Sequence, residues 1–431
     1  MPETLSFSTR RTEIAGVSVL SLVEQFGTPL YVYDAEKIRT RLRDLSIFPV
    51  VRYAQKACSN LAILRLIRGA GACVDAVSGM EIQRAVAAGW PVTAAPGEVP
   101  PIVYTADIFD RYTLDLVTGK YPVHVNCGSI DMIHQLGSRV QGREITLRIN
   151  PGFGHGHSRK TNTGGPGAKH GIWYEQLDEA LNAAARYQLK VTGLHLHIGS
   201  GTDMEHLAKV VDAMDALARR VGSAITSISA GGGLPVPYRS GEEFIDLEAY
   251  ASLWKKKIDQ LATLFGHPIR FEIEPGRYPV AESGYLLSEI RAVKRQGENL
   301  FYLVDAGFNN LIRPSMYGSY HPISIVSSAV SSAVSSTSED RGVNDVIVGG
   351  PLCESGDIFT QAEGGYVEKR TLPAASVGNY LILENAGAYG MVMGSNYNTR
   401  PLCAEVLIDG GKARLIRSRQ SFEQIIENEE K

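Results

Sequence analysis

The sequence predicts an α/β protein, a (β/α)8 barrel with a mainly β second domain. Three observations carry this. Eight short β-type runs alternate with helix-type runs between about residues 50 and 276. The first of these strands is not followed by the GxGxxG turn that a doubly wound sheet would carry. After about residue 285 the texture changes to strands separated by turns, with few helical periods.

The eight barrel strands are expected at 50–54, 73–77, 101–105, 123–127, 144–149, 190–198, 226–230 and 269–274. Amphipathic helices lie between them. SNLAILRLIRG has Ser59 as its expected N-cap and sets Leu61, Leu64 and Ile67 along one side. MEHLAKVVDAMDALARRVG is another, and FIDLEAYASLWKKKIDQLATLFG is the longest. The barrel is expected over 34–284 and the β domain over 285–431. Its strands are read in YLLSEIRAVKRQ, NLFYLVDAG, DVIVGGPL, GNYLILENAG and AEVLIDGGKARLI, with a helical tail in SFEQIIENEE. Residues 1–33, with an apolar patch at 16–23, are expected to join the β domain, because the first barrel strand begins only at 50. The Ser-rich stretch 326–345 reads as a mobile loop.

Composition narrows the function. The chain has 431 residues, 44% hydrophobic and 21% charged, which suits a globular protein with a sizeable core. Lys and Arg total 43 against 46 Asp and Glu, so no basic excess points to nucleic acid or an anionic membrane. The five cysteines form no CxxC pair, which argues against a disulfide framework and a structural zinc site. No stretch reaches the ~18 apolar residues of a membrane span, and a cytoplasmic protein is expected.

Active-site groups of a barrel sit at the C-terminal ends of its strands. Reading those ends in order gives Lys56, then Asp75 and Ser78, Arg148 and Asn150, His195, His197 and Ser200, the AGGG run at 230–233, and Glu274, Gly276 and Arg277. A lone Lys at a strand end is usually solvated. In an apolar barrel mouth, a desolvated amine can instead form a Schiff base. The HLH pair could hold a metal, but no third ligand lies at suitable spacing, so packing or a stacking surface is favoured. AGGGLP exposes backbone N–H groups that could hold a phosphate, and barrels often bind phosphate near strands seven and eight. A Lys, a flat group, a phosphate loop and a carboxylate together describe a pyridoxal phosphate site.

At this point the sequence resembles the alanine-racemase-like pyridoxal phosphate enzymes, in the ornithine/diaminopimelate decarboxylase group. The motifs that carry the likeness are YAQKACSN, NPGFGHGHSRKTNTGG, KHGIWY, HIGSG, AGGG, EPGR, RPSMYGSYHPI, GPLCESGD and GAYG, spread over nearly the whole chain. The resemblance implies that Lys56 bonds covalently to the cofactor, His197 stacks on its ring and Ser200 approaches its phosphate. It further implies phosphate contacts from Gly232, Gly233, Gly276, Arg277 and Tyr389, with Arg148 and Asp75 around the ring and Lys56. Glu274 would keep the ring nitrogen protonated. A racemase of this fold places an Arg there, so Glu274 favours decarboxylation. Cys353 would protonate the carbanion from a neighbouring subunit, and Glu354 would meet a substrate amine, in a head-to-tail homodimer. Arg313, Arg277 and Tyr317 would hold the unreacted end of the substrate. A guanidinium suits a carboxylate, which favours diaminopimelate over ornithine or arginine. An inactive cofactor-holding homologue and a metal-dependent barrel hydrolase are the alternatives from other classes.

Overall fold

The computed structural model describes residues 5–95, 97–156, 159–326 and 342–430. Eight parallel strands close into a barrel. They are β1 (Val50–Ala54), β2 (Cys73–Ala76), β3 (Ile102–Ala106), β4 (His124–Cys127), β5 (Glu144–Asn150), β6 (Lys190–Leu196), β7 (Ser227–Ser229) and β8 (Arg270–Ile273). Each pairs in parallel with the next, and β8 pairs back onto β1 through Glu272–Val50 and Ile273–Val51.

The helices between strands bury one face each. In Leu61–Gly69, Ile63, Leu64 and Ile67 are buried. Its N-cap is Asn60, not Ser59: the Asn60 side chain accepts from the Ala62 N–H at 2.9 Å. Asn60 wins the position because its amide also donates to Glu405 at 2.9 Å, which ties the barrel to the second sheet. Ala35–Asp44 precedes β1, is capped by Asp34, and packs on the short helix Arg277–Val280 that follows β8.

The lower barrel interior is ionic, where a stacked apolar filling is the rule for such barrels. Arg52 is fully buried and donates to Glu272 Oε2 at 2.7 Å, while Arg270 Nε donates to Glu272 Oε1 at 2.7 Å. Two cations on one carboxylate hold Glu272 below the usual carboxylate range although burial opposes ionisation. The polar base thus satisfies its own charges and leaves the upper end for a ligand.

The second sheet is mostly antiparallel. Its long strand Gly284–Gln296 pairs with Asn299–Val304, Tyr380–Leu383 and Leu30–Asp34. Leu30–Asp34 also runs parallel to Ala404–Asp409, so a segment that precedes the barrel in sequence lies inside this sheet. The apolar patch near residue 20 forms the helix Val19–Phe26, which buries Val19, Leu22 and Val23 against Leu30, Val32, Val406 and Ile408. Strands at Ile323–Val326 and Arg370–Pro373 were not anticipated. The Ser-rich reading needs correction at its edges. Val326 closes one strand and Val343–Gly349 forms another, while 327–341 fall outside the described residues.

Candidate functional site

A cavity opens at the C-terminal end of the barrel, where the second sheet covers it. Lys56, Asp75, Arg148, His197, Ser200, Gly232, Gly233, Glu274, Gly276, Arg277, Arg313, Tyr317 and Tyr389 all line it. With Thr105 of β3, residues from seven of the eight strand ends and from two loops of the second sheet meet in one place. Thr105, Lys160, Thr161 and Thr163 line it as well, and sequence reasoning did not single them out. The last three belong to the motif at 150–165, whose presence was legible but whose inward residues were not.

The floor is an acid–base network. Glu274 is buried and its Oε1 accepts from Ser229 Oγ at 2.7 Å. His195 Nε2 stands 3.2 Å from Glu274 Oε2. The other nitrogen, Nδ1, lies 2.9 Å from the Asn126 amide nitrogen, a group that only donates. Nδ1 accepts from Asn126, which turns Nε2 toward Glu274, although the pair does not meet in hydrogen-bond geometry. Burial pushes the Glu274 carboxyl up, but His195, Ser229 and Arg52 outweigh it and hold the group ionised, well below the usual range.

Asp75 behaves oppositely. Burial and the nearby Glu274 charge push it up to about 6, and Lys56 and His195 only partly offset this. Its buried Oδ1 lacks a hydrogen-bond partner. Burial and the charges of Arg148 and Lys56 drive His197 well below its ordinary value, so its ring is neutral and flat. One further carboxyl belongs here. Glu81 accepts from the Val77 N–H at 2.8 Å, and burial pushes it up to about 7, with Asp75 adding to the shift.

Lys56 corrects one expectation. It lines the cavity, but its side chain is exposed, not desolvated. The strand ends in a tight 3-10 turn at Gln55–Ala57, which buries Gln55 and Ala57 and swings Lys56 into the open mouth.

The opposite end is built from backbone. Gly231 has φ +66°, and a Cβ there would stand 2.4 Å from the Leu196 carbonyl oxygen. Its own carbonyl accepts from the Glu274 N–H at 2.7 Å, which binds the glycine loop to the end of β8. The N–H groups of Gly232, Gly233 and Gly276 have no partner among the described residues. Arg277 donates to Ser200 Oγ at 2.9 Å, and its guanidinium lies 5.2 Å from the Tyr389 ring centre. Open amides beside a cation suit a phosphate. With the flat neutral His197, the ionised Glu274 and the Lys56 amine, these residues fit pyridoxal phosphate.

Two expected residues lie elsewhere. Cys353 and Glu354 are exposed on the loop after Val343–Gly349 and do not line this chain's cavity. The Cys353 N–H donates to Asn398 Oδ1 at 2.8 Å. Among the described residues, the group with ligand-like spacing is His155, Asp203 and His206, not the HLH pair. The His155 and His206 rings stack at 3.9 Å with planes 13° apart. Lone pairs in such planes do not converge on one point, so the three form a stack on a shared carboxylate.

A barrel with this set of groups at its mouth defines a pyridoxal-phosphate enzyme. The chain belongs to the pyridoxal-dependent decarboxylases, whose pyridoxal-binding domain matches residues 35–281. It is 51% identical to the diaminopimelate decarboxylase of Escherichia coli K12 over 426 residues, covering 99% of each chain. It is 49% identical to that of Streptomyces coelicolor, over 95% of this chain and 91% of the other. A crystal structure of a diaminopimelate decarboxylase superposes with a TM-score of 0.89 at 51% identity, covering 95% of each chain. The Helicobacter pylori enzyme complexed with L-lysine gives 0.82 at 29% identity, over 95% of this chain and 98% of that one.

Two predictions follow from this geometry. Lys56→Ala removes the covalent attachment of pyridoxal phosphate and nearly all turnover. Borohydride reduction and mass spectrometry of the loaded protein check it, and a reducible linkage at wild-type level would contradict it. The second concerns Glu81. A carboxyl raised on folding leaves stability intact below its unfolded value and loses it as pH climbs through the folded value near 7. Glu81→Gln should therefore gain on the wild type as pH rises from about 5 to 8, by up to about 3 kcal/mol in the cofactor-free protein. Melting temperatures of both proteins across that range check it, and parallel curves would place the titration elsewhere.

Proposed function

We propose that this chain decarboxylates meso-2,6-diaminopimelate to L-lysine and carbon dioxide, the last step of lysine synthesis, with pyridoxal phosphate as cofactor. One observation carries the choice of substrate. Arg277 and Arg313 place two buried guanidiniums on the same cavity as Lys56 and Glu274. A diamine offers them nothing, whereas a second amino-acid end offers a carboxylate. The relatives named above, and a solved relative that carries L-lysine, support this reading.

The cofactor, when bound, supplies an electron sink for the charge left by loss of carbon dioxide. Lys56 would hold it covalently. Gly232, Gly233, Gly276, Ser200 and Tyr389 would bind its phosphate through N–H and hydroxyl groups. Glu274, kept ionised by Ser229 and His195, would hold a proton at the ring nitrogen. His197, neutral, would offer a flat face to the ring and add no charge that would compete for that proton. Asp75 and Arg148 fix the field around Lys56. Arg277, Arg313 and Tyr317 orient the distal end of the substrate, so the scissile carboxylate lies at the other end.

Cys353 and Glu354 act in a second copy of the chain. They are exposed and outside their own cavity, which supports a head-to-tail homodimer in which they would reach the neighbouring site. There Cys353 would supply a proton to the reacting carbon and Glu354 would meet a substrate amine. Among the described residues no helix is long and apolar enough to cross a membrane. We place the enzyme in the cytoplasm, where a free thiol stays reduced.

Carbon dioxide release across meso-diaminopimelate, lysine, ornithine and arginine tests the substrate, and diaminopimelate should dominate. Arg313→Leu should then cut diaminopimelate turnover by about one to two powers of ten, since a charge-assisted contact is worth roughly 1.5–3 kcal/mol. Lysine presented for decarboxylation has no distal carboxylate, so its poor use should hardly change. Equal losses on both would assign Arg313 to loop shape. Mixing inactive Lys56→Ala and Cys353→Ala proteins tests the shared site. Subunit exchange creates one site with both defects and one with neither, so up to about half the activity of each mixed dimer should return. Proven exchange without recovery would place both residues in one chain's site.

A further inference from the structure

The two arginines are not held by the cavity wall alone. Arg277 Nη1 and Arg313 Nη1 both donate to the hydroxyl of Tyr238, each at 3.0 Å. Tyr238 lies on the loop that follows the glycine run, between barrel and second sheet, and it does not line the cavity. A phenol oxygen has two lone pairs, so this one bonds both cations and bridges two like charges. Burial pushes the Tyr238 hydroxyl up, and Arg313 and Arg277 pull it back below its ordinary value.

Arg313 Nη1 makes a second contact, to His321 Nε2 at 2.9 Å. Since Nη1 only donates, Nε2 must accept, and the His321 proton sits on Nδ1, which donates to the Glu384 carbonyl at 2.9 Å. Burial and the Arg313 charge hold His321 neutral, as this pattern requires. Both hydrogens of Arg313 Nη1 are then spent, one on Tyr238 and one on His321. What Arg313 retains is its Nε–Nη2 edge, two parallel N–H bonds that match a carboxylate. Arg277 differs: its Nε and Nη2 donate to Ser200 Oγ, and its Nη1 shares the Tyr238 hydroxyl with Arg313.

We infer that Tyr238 is the positioning residue for carboxylate selectivity: its hydroxyl, with His321, sets the spacing of Arg277 and Arg313 and fixes which edge of Arg313 meets the substrate. The inference rests on the reading that these arginines bind the distal carboxylate. It adds that the pair is arranged before substrate arrives, by a group that never touches it. Without the oxygen, two neighbouring guanidiniums repel and lose their common anchor, so the fork must be organised by the ligand at a cost in affinity.

Tyr238→Phe removes one oxygen and keeps the ring. The measurement is competitive inhibition by L-lysine and by 1,5-diaminopentane, which differ only in a carboxylate, together with kcat and KM for diaminopimelate. The inference expects about tenfold weaker lysine binding and a matching rise in KM, from the loss of hydrogen bonds to charged groups. Diaminopentane inhibition and kcat should stay within about twofold, because neither ligand end at Lys56 nor the chemistry meets Tyr238. Equal weakening of both inhibitors, a fall in kcat alone, or a variant that does not fold would assign Tyr238 to general support and overturn it. Arg313→Leu, measured with the same two inhibitors, separates the two layers. If it weakens lysine selectively and Tyr238→Phe does not, the inference falls alone. If it weakens both equally, the carboxylate reading falls and takes the inference with it.

Discussion

A carboxylate kept ionised while buried is the constraint around which this protein is arranged. Glu274 stands at the end of the last barrel strand, where burial opposes its charge. Ser229 from the neighbouring strand, and His195 from the strand beyond it, reverse that balance. Asn126, two further strands away, donates to His195 Nδ1 and turns its Nε2 toward Glu274. Removing any one of these groups would leave a buried charge short of a partner, which is among the more costly local defects. The same charge pushes Asp75 up, so two carboxyls in one cavity are separated into an ionised and a readily protonated group.

The closed parallel barrel makes this arrangement possible. Only a closed sheet brings the ends of strands four, six, seven and eight to a single point. The glycine loop then seats itself on the end of β8 through the Gly231–Glu274 backbone bond. Its free amides are thus fixed relative to the carboxylate. The second sheet supplies Arg313, Tyr317 and Tyr389 from above, and Glu405 anchors it to the barrel through Asn60. In the proposed reaction the barrel holds the cofactor and the second sheet reads the substrate.

Much of this was legible in the sequence, for a definite reason. Strand ends are local features, so Lys56, Ser200, Glu274 and the glycine run could be read from the residues that follow each β-type stretch. The resemblance to known enzymes added Arg313, Tyr317 and Tyr389, which no local pattern would place. What stayed hidden depends on contacts between distant segments. The role of His195 is set by Asn126 and Glu274, which are remote from it in sequence, so HLH alone left packing and stacking equally open. Tyr238 reads as a loop residue until its hydroxyl is seen between two arginines. Leu30–Asp34 shows no sign that it pairs with Ala404–Asp409. The expectation of a desolvated Lys56 failed because a 3-10 turn, not the strand itself, sets its direction. Asn60 displaced Ser59 as cap because of a partner in the other sheet.

The central claim is that Glu274 is an anion and would keep a proton on the ring nitrogen of the bound cofactor. Nitrogen-15 NMR of the protein loaded with ring-labelled pyridoxal phosphate measures this directly. The account predicts a protonated ring nitrogen whose shift does not change across the neutral pH range. A shift typical of the free, unprotonated nitrogen, or one that titrates within that range, would contradict it.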